Sequence, residues 1–79
     1  MPFVSIPADT WTAVHTTTED EAFQNLSGKN MYFTTVATGG LGAAEGITVG
    51  PMNIIVIGTG KEVSAYSPGS ASRVFYIGV

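Results

Sequence analysis

His15 is the only histidine of the chain, which also contains no cysteine. To act as a general base, His15 would need a nucleophile that the fold holds within hydrogen-bond reach, and the sequence indicates none. A transition-metal site is not expected, because such sites combine several histidine or cysteine ligands. Disulfides and thiol catalysis are excluded by the lack of cysteine. We therefore expect no enzyme, no catalytic residue, no metal and no cofactor. His15 is expected to cap a strand edge, on a face shared with Trp11 and Ala13.

A glycine-rich segment invites comparison with phosphate-binding loops. It reads Gly58-Thr59-Gly60-Lys61 and follows a short apolar run. A Walker loop needs a first glycine five positions before the second and a Ser or Thr after the lysine. Here Ile55 occupies the first of these positions and Glu62 the last. The segment therefore predicts a hairpin turn and not a phosphate site.

Three adjacent carboxylates, Glu19, Asp20 and Glu21, raise the question of a calcium site. Calcium loops place their oxygen ligands at alternating positions around a glycine, which this triplet does not do. Thr18 followed three residues later by Glu21 matches a capping box, a signature of a helix start. We expect residues 16–22 to form either one helical turn or an acidic, solvated loop.

The large aromatic side chains allow two interpretations. Trp11, Tyr32, Tyr66 and Tyr76 could together form a flat platform for a sugar. Aromatic residues of a small β domain more often fill its core or a subunit interface, since they bury the largest area per residue. We favour the core or an interface and keep the sugar platform as the alternative.

Charge and hydropathy limit the partners. Three basic and six acidic residues give a net charge of −3, which argues against nucleic acid. The longest uninterrupted apolar run, residues 54–57, is far shorter than the ~20 residues of a membrane span. No targeting segment is visible at the N-terminus, so we expect synthesis in the cytoplasm. Neither a nucleic acid nor a membrane is an expected partner.

The chain is too apolar to hide all its hydrophobic side chains. Hydrophobic residues make up 44% and charged residues 11% of the 79 positions. Soluble domains carry roughly 25% charged residues, more than twice that share. A small domain buries only about 60–65% of the surface that its unfolded chain exposes. We therefore expect an apolar contact surface and self-association or docking onto a larger assembly.

Short β-strands dominate the pattern. Residues 31–38 are rich in β-branched and aromatic side chains, which favour a strand. Residues 52–57 form an apolar strand that is expected to be central or buried on both faces. In residues 72–79 the side chains alternate between the two sides of a third strand. Shorter strands are predicted at residues 3–6, 11–16, 23–26, 47–49 and 63–66. Ten glycines and four prolines argue against a long helix. The prediction is an all-β, small single-domain sandwich or barrel-like fold of about seven to eight strands spanning residues 1–79.

Turn residues separate these strands. Residues 27–30 lie between two strands and supply Gly and Asn, which adopt a positive φ readily. Residues 58–61 do the same with their glycines. Residues 67–70, Ser-Pro-Gly-Ser, suit a type II turn. The glycine-rich residues 39–46 are expected to be either a long hairpin tip or a segment that orders on docking. Prolines near Phe3 and Ile6 are expected to keep residues 1–7 out of a regular ladder, as a mobile N-terminal arm.

Several short stretches together resemble a known family. They are Trp-Thr-Ala-Val at residues 11–14, Phe-Gln-Asn at 23–25, Ser-Gly at 27–28, the glycine- and alanine-rich loop, the segment at 60–66 and residues 70–77. The chain resembles the small all-β structural proteins of tailed bacteriophages, especially those that decorate or cement capsids. In that family a strand of the type Val63-Ser64-Ala65 and a closing strand, here residues 72–79, form the last hairpin.

The resemblance implies a non-enzymatic virion protein that stabilises the phage head by bridging coat subunits. Its partner would be the major capsid protein of the same virion, and it would act as a homo-oligomer, with a trimer favoured. The residues expected to contact the capsid or another copy are Phe3, Ile6 and Trp11. The alternatives are a tail or fibre component of the virion and, from another functional class, a carbohydrate- or receptor-binding module that uses Trp11 or the tyrosines.

Overall fold

The computed structural model describes residues 3–36 and 46–79, and strands are the regular structure of these two stretches. The strands are β1 (Phe3–Ile6), β2 (Thr12–Thr16), β3 (Glu21–Asn25), β4 (Met31–Thr34), β5 (Ile47–Val49), β6 (Ile54–Ile57), β7 (Glu62–Tyr66) and β8 (Ser72–Gly78). Each coincides with a stretch that the sequence predicts to be extended. The glycine-rich segment at residues 39–45 lies outside the described residues.

The strands form two four-stranded sheets, which face each other as a sandwich. Sheet A has the order β1-β8-β3-β6, and sheet B has the order β2-β7-β4-β5. Neighbouring strands within each sheet are antiparallel. The all-β prediction is confirmed as a sandwich, since the two sheets are not joined into one closed sheet.

The core lies between the sheets and is filled by the inward-facing residues of each strand. Side chains alternate across a strand, so every second residue of a strand reaches this layer. On β3, for example, Phe23 is fully buried between its half-buried neighbours. The buried apolar side chains are Ile6, Phe23, Met31, Phe33, Val49, Ile57, Val63, Ala65 and Val74.

Most links between described strands cross from one sheet to the other. Of the successive pairs, only β4 and β5 are neighbours in one sheet. The hairpin predicted at residues 58–61 is therefore wrong, because β6 belongs to sheet A and β7 to sheet B. The final hairpin of β7 and β8 is wrong for the same reason. Turn residues determine only that the chain reverses its direction. Which strand the following strand then pairs with depends on where the apolar side of that following strand can be buried.

Strand β6 is an edge strand and not a central one. It pairs with β3 alone among the described strands. Ile55 and Ile57 face the core, whereas Ile54 and Val56 remain 59% and 62% exposed. The expectation that this apolar run is covered on both faces is therefore wrong. A two-layer sandwich has only one interior, so a strand that is apolar on both sides exposes one of them.

The N-terminal stretch is a paired strand and not an arm. Phe3–Ile6 pairs with β8 in the register Phe3 with Phe75 and Ile6 with Ser72. Ile6 is fully buried and belongs to the core, so its side chain is not available to another molecule. Pro7 follows the strand directly, where it does not interrupt the ladder. The predicted contact role of Ile6 is therefore not compatible with this structure.

Between β2 and β3, residues 17–20 form a loop and not a helical turn, but Thr17 and Glu21 are buried, so the solvated loop expected for residues 16–22 is found only in part. The Glu21 carboxylate nevertheless accepts a hydrogen bond from the backbone N–H of Thr18 at 3.1 Å, the side-chain half of a capping box. Glu21 begins β3 instead of a helix. Across the described residues, no helix is long and apolar enough to cross a lipid bilayer.

Candidate interaction surface

The outward side of sheet A carries a continuous apolar surface. The register places Phe3, Phe75, Gln24 and Ile54 in one row across the four strands. The next row on the same side holds Ile77, Ala22 and Val56. We call the six apolar members of these rows the apolar face: Phe3, Ala22, Ile54, Val56, Phe75 and Ile77.

The apolar face leaves four large side chains about half exposed or more. Phe3 is 51% exposed and Ile77 is 49% exposed, and the two exposed residues of β6 exceed both. A large apolar side chain has a surface area on the order of 150–200 Å². Four such side chains that are each about half exposed therefore leave roughly 350 Å² of apolar surface in contact with solvent. A contiguous patch of a few hundred Å² commonly marks a contact surface. The outward sides of sandwich strands are usually polar, so this one differs from the common pattern.

Few polar groups interrupt the apolar face. The guanidinium of Arg73 lies 5.6 Å from the centre of the Phe3 ring, at one corner of the surface. The Phe3 and Phe75 rings are in tilted contact, with centres 5.3 Å apart. In the middle, the Gln24 side-chain amide donates to the carbonyl oxygen of Met52 at 2.9 Å. These contacts restrict the side chains of the face.

A tight turn positions the start of β6 beside this face. The Asn53 N–H donates to the Gly50 carbonyl oxygen at 3.1 Å, which closes a four-residue turn with Pro51 second. Met52 is third and has a φ of 60°, a value that glycine or asparagine adopts more readily. The predicted turn at residues 67–70 has the same arrangement, with Gly69 at a φ of 82° in the third position.

A β-bulge turns His15 towards the other sheet. The register of β2 against β7 shifts between Ala13 and His15, so Val14 is the extra residue. A bulge of this kind changes the side to which the following side chain points. Ala13 is exposed, whereas His15 stacks on Tyr76 of sheet A with ring centres 4.2 Å apart. The expected common face for Trp11, Ala13 and His15 is therefore wrong.

His15 forms a pair with a buried carboxylate. Its Nε2 atom lies 3.0 Å from both oxygens of Glu21, whose side chain is 5% exposed. A histidine that a carboxylate orients becomes a general base only when a nucleophile lies within reach. The shallow cleft beside His15, about 300 Å³, is lined by Ser64 and Glu62 among others. The hydrogen bonds of the described residues do not connect a hydroxyl to the ring, so the pair has the form of a structural contact.

The described residues also bring no metal-ligand set together. They contain no group of three or more His, Asp or Glu side chains that could hold an ion. The carboxylates of the acidic triplet separate in space: Glu21 turns inward to His15, whereas Asp20 lies near the hydroxyl of Thr59 at 3.4 Å. The triplet is thus divided between two different contacts.

A second open groove contains two of the three basic residues. It measures about 640 Å³ and is lined by Lys29, Arg73 and several serines. The Lys29 ammonium donates to the carbonyl oxygens of Pro68 and Ser70 and to the Ser70 hydroxyl. Since an ammonium group has three donors, these bonds commit Lys29 to holding the turn before β8. Lys29 therefore has no free donor to offer an anion in this groove.

Three aromatic side chains lie together at sheet B. Trp11 and Tyr66 are in tilted contact with ring centres 5.5 Å apart, and Tyr32 lies opposite Tyr66 in the register of β4 and β7. Tyr76, the fourth residue of the predicted platform, packs on His15 and Phe23 instead. Gly46 lies so close to Trp11 that an added Cβ atom would be 2.8 Å from its ring.

The structure places the three predicted contact residues in three different environments. Phe3 belongs to the apolar face, Ile6 to the core and Trp11 to the aromatic group of sheet B. Sequence reasoning missed Ile54, Val56 and Ile77, which dominate the exposed surface. A signal was present, because β6 and β8 are apolar at successive positions in a chain that is too short to cover both sides of a sheet.

Comparisons of the chain with protein families, with curated proteins and with solved structures found no match.

Proposed function

We propose that this protein is a non-enzymatic virion structural protein, a capsid decoration or cement protein that bridges coat subunits. The observation that supports this most directly is the apolar face of sheet A. Its large side chains are half exposed and lie in two ordered rows, an arrangement that suits docking onto another protein surface. The resemblance of the sequence to phage decoration proteins names the class of partner, the major capsid protein.

The size of the face suits a weak contact that is repeated many times. Roughly 350 Å² of apolar surface is less than half of the ~800 Å² that each partner buries in a standard protein complex. On a symmetric shell, a homo-oligomer engages several such contacts at once. The second and later contacts then form at high effective concentration, so the total affinity far exceeds that of one contact.

Co-sedimentation with capsids tests the proposal. Coat-protein shells from the genome that encodes this chain would be mixed with the purified protein and pelleted. We expect the wild-type chain to pellet with the shells and Ile77→Glu to stay in the supernatant. Glu62→Lys is the control, because it changes an exposed charge on sheet B and should pellet like the wild type. Pelleting of Ile77→Glu at the wild-type level would contradict docking through the apolar face.

The location within the virion requires a separate measurement. Immunogold labelling of intact particles would place the protein on the head, as we propose, or on the tail or fibre. Label confined to the tail would replace the decoration role with that of a tail component. The chemistry of the apolar face would be the same in either location.

A second candidate function is a carbohydrate-binding module. It is favoured by the group of Trp11, Tyr32 and Tyr66, since aromatic rings pack against the apolar faces of sugars. A glycan screen with the wild type and with Tyr32→Ala tests it. Binding of a defined sugar that Tyr32→Ala abolishes would support the module over the decoration role.

A further inference from the structure

The four edges of the two sheets differ in how they are protected. An exposed edge offers unpaired backbone N–H and C=O groups to other chains, and natural proteins blunt it with proline, bulges or short strands. Strand β1 is followed directly by Pro7, β2 contains the bulge at Val14, and β5 has only three residues. The β6 edge has neither a bulge nor a charged residue, and its sequence is Ile-Ile-Val-Ile.

The hydrogen bonds of β3 show which backbone groups of β6 point outward. The Asn25 N–H donates to the Asn53 carbonyl oxygen at 3.0 Å, so these residues form a hydrogen-bonded pair. Hydrogen-bonded pairs alternate along an antiparallel ladder, which makes Ile55 and Ile57 the next residues bonded to β3. The N–H and C=O groups of Ile54 and Val56 therefore point away from β3, towards the open edge.

We infer that β6 is the site at which two copies of this chain pair, antiparallel and edge to edge. A two-fold axis through Ile55 places Ile54 of one copy opposite Val56 of the other, so each outward N–H meets an outward C=O. The same operation keeps Ile54 and Val56 of both copies on one side of an eight-stranded sheet. The inference rests on the homo-oligomeric part of the proposed function and assigns its interface. This contact is a dimer, in place of the trimer that the resemblance favours.

The uncharged β6 strand allows a second copy to approach, and the small area of the edge sets the strength of the pairing. Two chains of net charge −3 repel, yet the β6 strand itself carries no charge. Glu21 of β3 lies opposite Ile57, but its carboxylate faces His15, and Asp20 lies beyond the C-terminal end of β6. An edge of four residues buries less than the roughly 1,200 Å² total of a standard interface. The pairing is therefore weak, with a dissociation constant in the micromolar to millimolar range. It doubles the area of the apolar face that can dock elsewhere.

Amide hydrogen exchange and sedimentation of the full chain test this pairing. We expect the mass to rise with concentration from 8.2 kDa towards twice that value. Over the same range the amides of Ile54 and Val56 should become protected, whereas those of Ile55 and Ile57 should be protected throughout. A single-chain mass up to about 1 mM, or concentration-independent exchange at Ile54 and Val56, would overturn the inference.

Two lysine variants test whether the pairing uses the β6 edge or another sheet edge. Val56→Lys places a charge opposite Ile54 of the other copy and diagonally across the axis from the second lysine, and it should weaken association at least tenfold. Thr48→Lys adds the same charge to the exposed edge of sheet B and should leave association unchanged. Equal effects of both variants would overturn the assignment to β6. Dispersed amide signals in an NMR spectrum verify that each variant is folded.

The outcome is independent of the capsid experiment. A chain that pellets with shells but stays a single chain retains the proposed function and loses this inference. A chain that pairs through β6 but does not bind shells retains this inference and loses the proposed function.

Discussion

The side-chain nitrogen of buried Asn25 lies 2.9 Å from the carbonyl oxygen of Val49 and donates a hydrogen bond to it. This bond joins β3 of sheet A to β5 of sheet B. The same nitrogen also lies within hydrogen-bond distance of the Lys29 and Gly50 carbonyl oxygens. The Asn25 side-chain oxygen accepts from the N–H and the hydroxyl of Ser27. One amide thus satisfies the backbone of two loops and ties the sheets together.

Replacing this amide with a carboxylate should destabilise the fold strongly. In Asn25→Asp, a buried charge would face three carbonyl oxygens, and we expect the free energy of unfolding to fall by about 3 kcal/mol or more. Urea denaturation measures this loss. Gln24→Glu makes the same chemical change one residue earlier, on the outer side of the sheet, and should cost less than about 1 kcal/mol. Equal losses for both variants would contradict the role of Asn25.

Gly46 should not tolerate a side chain. An added Cβ atom would lie 2.6 Å from the backbone oxygen of Phe33 and 2.8 Å from the Trp11 ring. Because the backbone oxygen cannot move aside freely, Gly46→Ala should lower the free energy of unfolding by about 1–3 kcal/mol. The control is Gly28→Ala, where nothing lies within 4 Å of the new atom. Thermal unfolding of both variants distinguishes them, and a wild-type melting temperature for Gly46→Ala would refute the close approach.

Met52 should be replaceable by glycine with a gain in stability. Its φ of 60° lies in the left-handed region, where an L side chain is strained. Met52→Gly removes this strain, and since the side chain is exposed it loses little packing. We expect a gain of up to about 1 kcal/mol, measured by urea denaturation. Met52→Ala provides the comparison, because it shortens the side chain and keeps the strain; it should show no such gain.

Glu21 should matter to stability through the contacts of its carboxylate. It accepts hydrogen bonds from the Thr18 backbone and holds the His15 ring. Glu21→Gln removes the negative charge that strengthens these contacts and replaces one acceptor oxygen with a donor, which weakens the contact with Thr18 or with His15. We expect a loss of about 1–2 kcal/mol in the free energy of unfolding. The same substitution at exposed Glu62 should change it by less than about 0.5 kcal/mol, and a comparable loss there would contradict this reading.

Sequence patterns were sufficient to locate the strands and to predict an all-β domain. Alternation, β-branched residues and turn residues are local properties, so they mark where the backbone is extended and where it reverses. Strands β1 and β5 match their predicted bounds, and the turn around Gly69 has the positive φ that its Pro-Gly sequence predicts. The sequence also indicated that part of the apolar surplus would reach the surface, but not that Ile54, Val56 and Ile77 would be the exposed residues.

The tertiary structure decided which strands pair and which sides of them are covered. Pairing depends on apolar area that residues far apart in sequence bury together, which no single window of sequence contains. For that reason β6 became an edge, Ile6 entered the core and β7 separated from β8. The bulge at Val14 likewise has no signature in its own residues, yet it turned His15 to Glu21 and Tyr76. Local geometry set the elements, and long-range packing decided which side chains are buried and which are exposed.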